Sequence, residues 1–226
     1  MNYIRGIDVS HWQGKIDWNK VVKDNVEFAF VKVGGSDDGF YTDPFFQTNI
    51  KAAYDNGVKC GVYYYVGPKC VRAIDGEADA KRFIDIITPF KKYISLPVVM
   101  DFEAPGTNTK NGNTDAVISF CSEIKKAGFI PMVYASEISG FTDRIYSDKI
   151  NDIYKWVAKW SPVAPSIKWD VWQYSATGIV SGILGDVDMD YITLEFWDNL
   201  FNKTDNKAKA IISRIRGELE ELERML

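Results

Sequence analysis

Short apolar runs alternate with amphipathic stretches over the first 135 residues of the chain. Strand-like runs occupy residues 4–9, 27–33, 58–66, 96–100 and 129–135, and helical patterns occupy about 18–23, 43–56, 75–90 and 114–127. Strands that alternate with helices over short connections are parallel, because each helix carries the chain back across the sheet. This part of the chain therefore predicts an α/β barrel or a doubly wound sheet.

The second helical pattern carries its own boundary signals. Asp43 offers an acceptor suited to the N-cap, and Pro44 suits the first helical position, because an N–H would have no partner there. Gly57 favours the left-handed backbone conformation in which many helices end. We therefore expect a helix that starts at Asp43 and Pro44 and stops at Gly57.

Beyond residue 135 the regular alternation stops. Strand patterns at 154–160, 169–175 and 186–191 are separated by loops and one short helical piece. Five strand–helix units followed by three strands predict an α/β fold of a particular kind, a distorted TIM-like (β/α)5(β)3 barrel. Chemistry in such barrels sits at the carboxyl ends of the strands. The acidic residues expected near such ends are Asp8, Asp101, Glu103 and Asp188.

The last segment, residues 203–226, differs from the rest in its periodicity. Apolar residues recur at alternating spacings of four and three, at Ala208, Ile212, Ile215, Leu219, Leu222 and Leu226. This spacing is typical of a heptad seam on an amphipathic helix. Three roles remain open for it: docking on its own barrel, homo-oligomer formation through residues 204–226, or a linker toward a further module. We expect a barrel at 1–202 and a separate helix at 203–226.

Composition sets limits on the partners. A chain of 226 residues with 46% hydrophobic content can bury one sizeable core. The net charge of −4 gives no broad basic surface, so neither nucleic acid nor an anionic membrane surface is an expected partner. No apolar run approaches the roughly 20 residues of a membrane span. Residues 1–6 lead directly into a strand pattern, so we expect synthesis in the cytoplasm without a signal peptide.

Cysteine and histidine usage excludes several kinds of chemistry. Three cysteines, Cys60, Cys70 and Cys121, are too few and too scattered for a disulfide framework or a zinc site. The single histidine, His11, and the lack of a Gly-x-Ser-x-Gly motif argue against a serine hydrolase. Residues 186–190 imitate the start of a calcium loop, but Tyr191 stands where that loop needs glycine. No metal or cofactor is expected.

The strand at 96–100 ends in two acids that flank one aromatic residue. Side chains alternate along a strand, so Asp101 and Glu103 should share a face that Phe102 avoids. Two nearby, partly desolvated carboxyl groups do not ionise independently, which leaves a protonated acid beside an ionised partner. That combination suits cleavage of a glycosidic bond. The high aromatic content of 14% could supply flat platforms for sugar rings.

Several motifs in a fixed order carry a family resemblance over about residues 3–198. They are Gly6-Ile7-Asp8-Val9-Ser10, Gln13-Gly14, Gly61-Val62-Tyr63-Tyr64-Tyr65, Val99-Met100-Asp101-Phe102-Glu103, Trp156-Val157-Ala158, Trp160, Trp172-Gln173-Tyr174 and Val187-Asp188-Met189-Asp190. Together they resemble glycoside hydrolase family 25, the lysozymes of phages, bacteria and fungi. The resemblance implies hydrolysis of the β-1,4 bond between N-acetylmuramic acid and N-acetylglucosamine in peptidoglycan.

The resemblance also implies roles for individual residues. Glu103 is similar to the general acid of the family, and Asp101 to the carboxylate that supports the charged intermediate. Asp8 and Asp188 resemble two further site acids, with Asp190 as the alternative to Asp188. The positions that line the groove or contact sugar in relatives are Tyr63, Tyr134, Trp160 and Gln173.

Mechanism and setting stay open at this level. Attack by the substrate's own acetamido oxygen would retain configuration, whereas water activated by Asp101 or Asp8 would invert it. The resemblance favours substrate assistance. The expected setting is a phage or prophage endolysin, or an autolysin, that acts on the bacterial wall after release. The alternatives are another N-acetylhexosaminide-cleaving barrel of the chitinase or endo-N-acetylglucosaminidase type, and a carbohydrate-binding barrel without turnover.

Overall fold

The computed structural model describes residues 3–103, 109–201, 212 and 214–216. Its strands are β1 (Tyr3–Val9), β2 (Phe28–Gly35), β3 (Tyr41–Thr42), β4 (Lys59–Tyr65), β5 (Ile94–Asp101), β6 (Pro131–Ser136), β7 (Tyr154–Ala158), β8 (Val171–Gly178) and β9 (Val187–Thr193). Its α-helices are α1 (Trp18–Lys23), α2 (Phe46–Asp55), α3 (Ala73–Ile87) and α4 (Lys110–Lys126). Short 3₁₀ turns lie at His11–Gln13, Thr88–Tyr93 and Ser147–Ile150, and a π-helical turn at Glu137–Thr142.

Eight strands close into a barrel in the order β1, β2, β4, β5, β6, β7, β8 and β9, because β1 pairs with both β2 and β9. The strands from β1 to β8 around this barrel are parallel, and β9 is antiparallel to β8 and β1. The short β3 forms a hairpin on the outside of β2. The predicted barrel of five units and three further strands is confirmed, with short helical turns after β6 where the fifth unit would have an α-helix.

The apolar core has two layers, one between the strands and the surrounding helices and one inside the barrel. The outer layer packs the helices against the strands, and includes Ile7, Val9, Val31, Val62, Val98 and Met100. The interior holds the alternate residues of the same strands, including Phe28, Phe30, Val99, Met132, Trp156 and Ile192. A helical segment at 194–201 adds Phe196 to the interior cluster. Polar residues of interior parity must therefore emerge where this apolar filling ends, at the upper rim.

Two helices start at least three residues away from the predicted position. Helix α2 starts at Phe46, because the Asp43 carboxylate already accepts hydrogen bonds from the backbone of Phe45 and from His11. Helix α4 starts at Lys110, four residues earlier than expected, and Thr109 caps it by accepting from the backbone of Gly112. The poor helix formers at 111–113 conceal this first turn in the sequence. Gly57, with φ of 86°, follows α2 as predicted.

The predicted helix at 203–226 lies mostly outside the described residues, so its role stays a prediction. Of its heptad positions, Ile212 and Ile215 are described, and both are about half exposed. None of the helices in the described part of the chain combines the length and the apolar character needed to cross a membrane.

Candidate active site

A cavity of about 280 Å³ opens at the carboxyl end of the parallel strands. Its walls are acidic and aromatic, with a single basic side chain among them. The lining residues are Asp8, Ser10, Trp12, Gln13, Lys32, Tyr63, Tyr65, Asp101, Glu103, Tyr134, Trp156, Gln173 and Asp188. All four acids and three of the four groove residues singled out in the sequence therefore meet at one cavity. The fourth, Trp160, lies beside it.

The carboxyl pair comes from the end of β5. Asp101 is the last residue of this strand, paired with Tyr65 on β4 and Tyr134 on β6, and its side chain is buried in the interior. Glu103 follows the strand and stands exposed at the mouth of the cavity. Phe102 packs into the outer apolar layer, as strand alternation requires. Both carboxyl groups therefore line the cavity from one strand end.

Opposing effects act on the pKa values of this pair. Burial raises the pKa of Asp101, and the charge of Glu103 raises it further. Desolvation by the cavity walls also raises the pKa of Glu103. The Lys32 ammonium acts in the other direction and lowers the pKa of both groups. Interacting carboxyl groups bind protons as a pair, so one proton is retained at a pH where two isolated groups would both be ionised.

Asp101 also carries an unsatisfied acceptor. Its Oδ1 is buried and has no hydrogen-bond partner within the part of the chain that the structure describes. Burying a carboxylate oxygen without a donor costs roughly 1–3 kcal/mol. The Asp101 side chain lines the cavity, so its carboxyl group can accept an N–H or O–H from a bound molecule.

A hydrogen-bond network joins the opposite wall. Gln173, on β8, donates from Nε2 to Oδ2 of Asp8 at 2.8 Å. Its Oε1 accepts from the hydroxyl of Tyr134 at 2.9 Å and from Nε1 of Trp160 at 3.0 Å. Trp160 is itself 66% exposed and lines a shallow depression next to the cavity together with Tyr174. The network thus fixes a buried aspartate, a buried tyrosine and an exposed indole around one amide.

The third wall comes from β9. Asp188 pairs with Asp8 across the antiparallel β1–β9 ladder and lines the cavity. Asp190 lies deeper, fully buried, and accepts from Nε1 of Trp156 at 2.8 Å. Because β9 is antiparallel, Asp188 reaches the cavity from the amino end of its strand. The expectation that all four acids lie at carboxyl ends is therefore wrong for Asp188.

Asp8, Asp188 and Asp190 are all desolvated by burial. Burial raises the pKa of Asp8 well above its usual range, and the charges of Asp190 and Asp188 raise it further, against a hydrogen bond from Gln173. Burial likewise raises the pKa of Asp190 and of Asp188. Three carboxyl groups in one low-dielectric region cannot all be ionised at moderate cost. The β1–β9 wall therefore holds protons at pH values where exposed aspartates do not.

Two basic residues of the site were not singled out in the sequence. Lys32 extends from β2 into the cavity, and its ammonium lies 4.9 Å from the ring centre of Tyr65 and 5.9 Å from that of Tyr63. Its signal was its parity: it follows Phe28 and Phe30 at a spacing of two, so it shares their interior face. Arg144 donates from two guanidinium nitrogens to the backbone oxygen of Glu103, both at 3.2 Å. No local pattern around Arg144 reveals that contact.

A closed eight-stranded α/β barrel, with a carboxyl pair at one strand end and further acids across a cavity from it, has the arrangement of a glycoside hydrolase. Sequence comparison agrees with this class. The model of glycosyl hydrolases family 25 matches residues 7–183, and the chain belongs to that family.

Individual relatives are similar over most of the chain. Lysozyme M1 of Streptomyces globisporus is 31% identical over 200 residues, which span 82% of this chain and 66% of the relative. The crystal structure of a bacterial lysozyme from Streptomyces coelicolor superposes with a TM-score of 0.66 at 27% identity, over 84% of this chain and 91% of that one. The structure of the modular autolysin LytC of Streptococcus pneumoniae in complex with a synthetic peptidoglycan ligand superposes with a TM-score of 0.74 at 26% identity. The match covers 84% of this chain and 46% of that one.

Proposed function

We propose that this protein is a peptidoglycan-degrading lysozyme that hydrolyses the β-1,4 bond between N-acetylmuramic acid and N-acetylglucosamine. The observation that carries the proposal is the Asp101–Glu103 pair, which lines the cavity of a family 25 barrel with the pKa of both groups raised. Two relatives support the choice of substrate. One is a lysozyme, and the other is an autolysin whose structure holds a synthetic peptidoglycan ligand.

Glu103 is the general acid of this mechanism. It stands at the mouth of the cavity, where a glycosidic oxygen of a long glycan can reach it, and its raised pKa keeps a proton available. Glu103 gives that proton to the leaving oxygen while the bond from the anomeric carbon to this oxygen breaks, and the bonding electron pair stays with the oxygen. Arg144 positions Glu103 by holding its backbone oxygen.

Asp101 acts on the other side of the bond. Its carboxyl group lines the cavity and accepts the N–H of the substrate's acetamido group, which aims the acetamido oxygen at the anomeric carbon. A bond forms between this oxygen and the anomeric carbon as the leaving group departs. Water then attacks the anomeric carbon and breaks that bond, and its proton passes to the ionised Glu103, which restores the acid. Two displacements at one carbon retain its configuration. Direct attack by water would invert it instead, so the anomer released first, read by proton NMR, distinguishes the two routes.

The reaction itself is tested by mass spectrometry of the fragments released from purified peptidoglycan. Products are reduced with borohydride, and the wild type is compared with Glu103→Gln, which keeps the shape of the side chain and removes the acid. We expect reduced muramic-acid ends from the wild type and at least a hundredfold less from the variant, since general acid catalysis contributes about 10²–10⁴-fold. Glu77→Gln, a half-buried residue of α3 that pairs with Lys81 and does not line the cavity, is the matched control.

Other outcomes would redirect the assignment. Reduced glucosamine ends would show an N-acetylglucosaminidase, and soluble chitin fragments from chitin alone would show a chitinase. A folded wild type that binds peptidoglycan but releases nothing would show a binding barrel. Full activity in Glu103→Gln would remove the general acid role from this residue.

We propose further that the protein works as an endolysin or autolysin, made in the cytoplasm and reaching the wall after release. Fractionation of producing cells tests this, because wall-bound protein in intact cells would contradict release by lysis.

We also propose that residues 204–226 provide the contact for any homo-oligomer. Light scattering of the full chain and of a chain lacking 204–226 checks this, and a protomer number that does not change would exclude that segment as the contact.

A further inference from the structure

Trp12 is the most exposed aromatic side chain in the described part of the chain, at 79%, and it stands at the mouth of the cavity. Large exposed apolar side chains occur singly on many surfaces, so exposure alone has no meaning. Trp12 differs from such residues because hydrogen bonds fix the turn that carries it beside the cavity.

A capping box closes the 3₁₀ turn His11–Gln13. The hydroxyl of Ser10 accepts from the backbone N–H of Trp12 at 3.2 Å, and the side-chain oxygen of Gln13 accepts from the backbone of Ser10 at 2.9 Å. Gln13 also donates from Nε2 to the backbone oxygen of Asp186, in the loop just before β9, at 3.2 Å. The turn is thus attached to the loop before β9, which fixes the backbone position from which the indole projects.

His11 braces the indole from one side. Its backbone N–H and its Nδ1 both lie 2.9 Å from Oδ2 of Asp43, whose side chain is fully buried. The imidazole centre lies 4.6 Å from that of the Trp12 ring, with 36° between the ring planes. The contact covers one side of the indole. The opposite side remains open at the mouth of the cavity.

We propose that Trp12 is a sugar-stacking residue that binds one pyranose ring of the glycan at the β1 edge of the cavity, with His11 and Asp43 as its positioning pair. A sugar ring presents polarised C–H bonds, which the electron-rich face of an indole attracts. An indole side chain has few torsions to fix, so it loses little conformational entropy on binding, which favours affinity. Trp160 occupies a separate position beyond β7, beside the shallow depression, so the two indoles would contact different sugars. The inference rests on the proposed function and adds a binding position to it.

Steady-state kinetics on a defined tetrasaccharide of alternating N-acetylglucosamine and N-acetylmuramic acid test the proposal. We expect Trp12→Ala to raise KM about tenfold while kcat stays within twofold, because the contact forms equally in the ground and transition states. Trp12→Phe, which keeps an aromatic face, should restore KM to within threefold of the wild type. Leu184→Ala is the matched control: Leu184 is 91% exposed in the loop before β9 and does not line the cavity.

Three results would overturn the proposal: an unchanged KM in Trp12→Ala, an equal rise in Leu184→Ala, or a loss of kcat that parallels a lower melting temperature. The last would show a structural role. His11→Ala should raise KM in the same direction as Trp12→Ala and add little in the double variant. The wild type, assayed alongside, separates the two levels of inference: no release from either tetrasaccharide or peptidoglycan refutes the proposed function, whereas normal release with an indifferent Trp12 refutes only this one.

Discussion

Gln173 donates a hydrogen bond to Asp8 at 2.8 Å across 165 positions of the sequence. The bond fixes the orientation of the amide, because its nitrogen must face the carboxylate and its oxygen must then face Tyr134 and Trp160. One uncharged side chain therefore joins strands β1, β6 and β8 at the cavity wall. A residue that accepts hydrogen bonds on both sides could not replace it.

Replacing Gln173 with glutamate changes the donor to an acceptor while preserving size. We expect Gln173→Glu to lower the free energy of unfolding at pH 7.5 by about 2 kcal/mol, because the hydrogen-bond donor to Asp8 is lost and a further carboxyl group enters a buried site. Urea unfolding measures this change. Gln47→Glu, on the exposed surface of α2, is the control and should change little. Equal stability of the two variants would refute the importance of the donor.

Stability should fall as pH rises from 5 to 8. The site carboxyls have folded-state pKa values above those of the unfolded chain, so in this range the folded protein holds protons that the unfolded chain has released. The free energy of unfolding then decreases with increasing pH. A change of about 2 kcal/mol would lower the melting temperature by roughly 4–8 °C in a chain of this size. Calorimetry in buffers of equal ionic strength measures it, and a rising melting temperature would contradict the sign.

Asp190→Asn should weaken that pH dependence. The buried Asp190 has one oxygen bonded to Trp156 and another without a partner among the described residues. Asparagine keeps the first acceptor and removes a group that resists ionisation in this low-dielectric region. We expect the free energy of unfolding of the variant to exceed that of the wild type by about 1–3 kcal/mol at pH 7.5, and by less at pH 5. A variant that is destabilised at both pH values would show that the Asp190 carboxyl donates its proton to a necessary acceptor.

Removal of the Lys32 charge should move the pH–activity profile. The ammonium lowers the pKa of Asp101 and of Glu103, so Lys32→Met should shift both limbs of the kcat/KM profile to higher pH. Activity at pH 5 should then fall about tenfold more than activity at pH 7. Lys51→Met removes an ammonium that lies 5.5 Å from the ring centre of Phe90, away from the cavity, and serves as control. A uniform loss at every pH would assign Lys32 a packing role instead.

Arg144→Lys keeps a charge but cannot reproduce two hydrogen bonds from a planar group to the backbone oxygen of Glu103. We expect kcat to fall about 10- to 100-fold, with KM within threefold of the wild type, because misplacing a reacting group by about 1 Å costs that much. Stopped assays with soluble glycan give both constants. Arg82→Lys, whose guanidinium stacks on Phe40, should leave both unchanged. A larger effect on KM than on kcat would place Arg144 in substrate binding.

The sequence predicts most of what depends on short spacings. The alternation of apolar and helical segments gives the barrel, and the period of two places Asp101 opposite Phe102. The same period of two places Lys32 on the interior face of β2, with Phe28 and Phe30. Roles of individual residues in catalysis remain predictions, since position in a cavity does not by itself assign them.

Other features depend on the closed barrel and have no local signal. The direction of β9 follows from its hairpin with β8, so the sequence could not show that Asp188 arrives from the amino end of a strand. The contact between Arg144 and Glu103 joins residues 41 positions apart in two different loops. The pairing of Asp43 with His11 replaces a helix cap, because a buried carboxylate takes the nearest donors regardless of which element supplies them.

The reversed direction of β9 also decides where the barrel can be attached to something else. Tyr3 and Thr193 are direct partners at the end of the barrel opposite the cavity, so β1 begins and β9 ends at the floor of the barrel rather than at its mouth. A tag or a second enzyme joined directly at Tyr3 or at Phe201 would therefore be attached behind the cavity. The mouth of the cavity would stay free to contact an insoluble polymer.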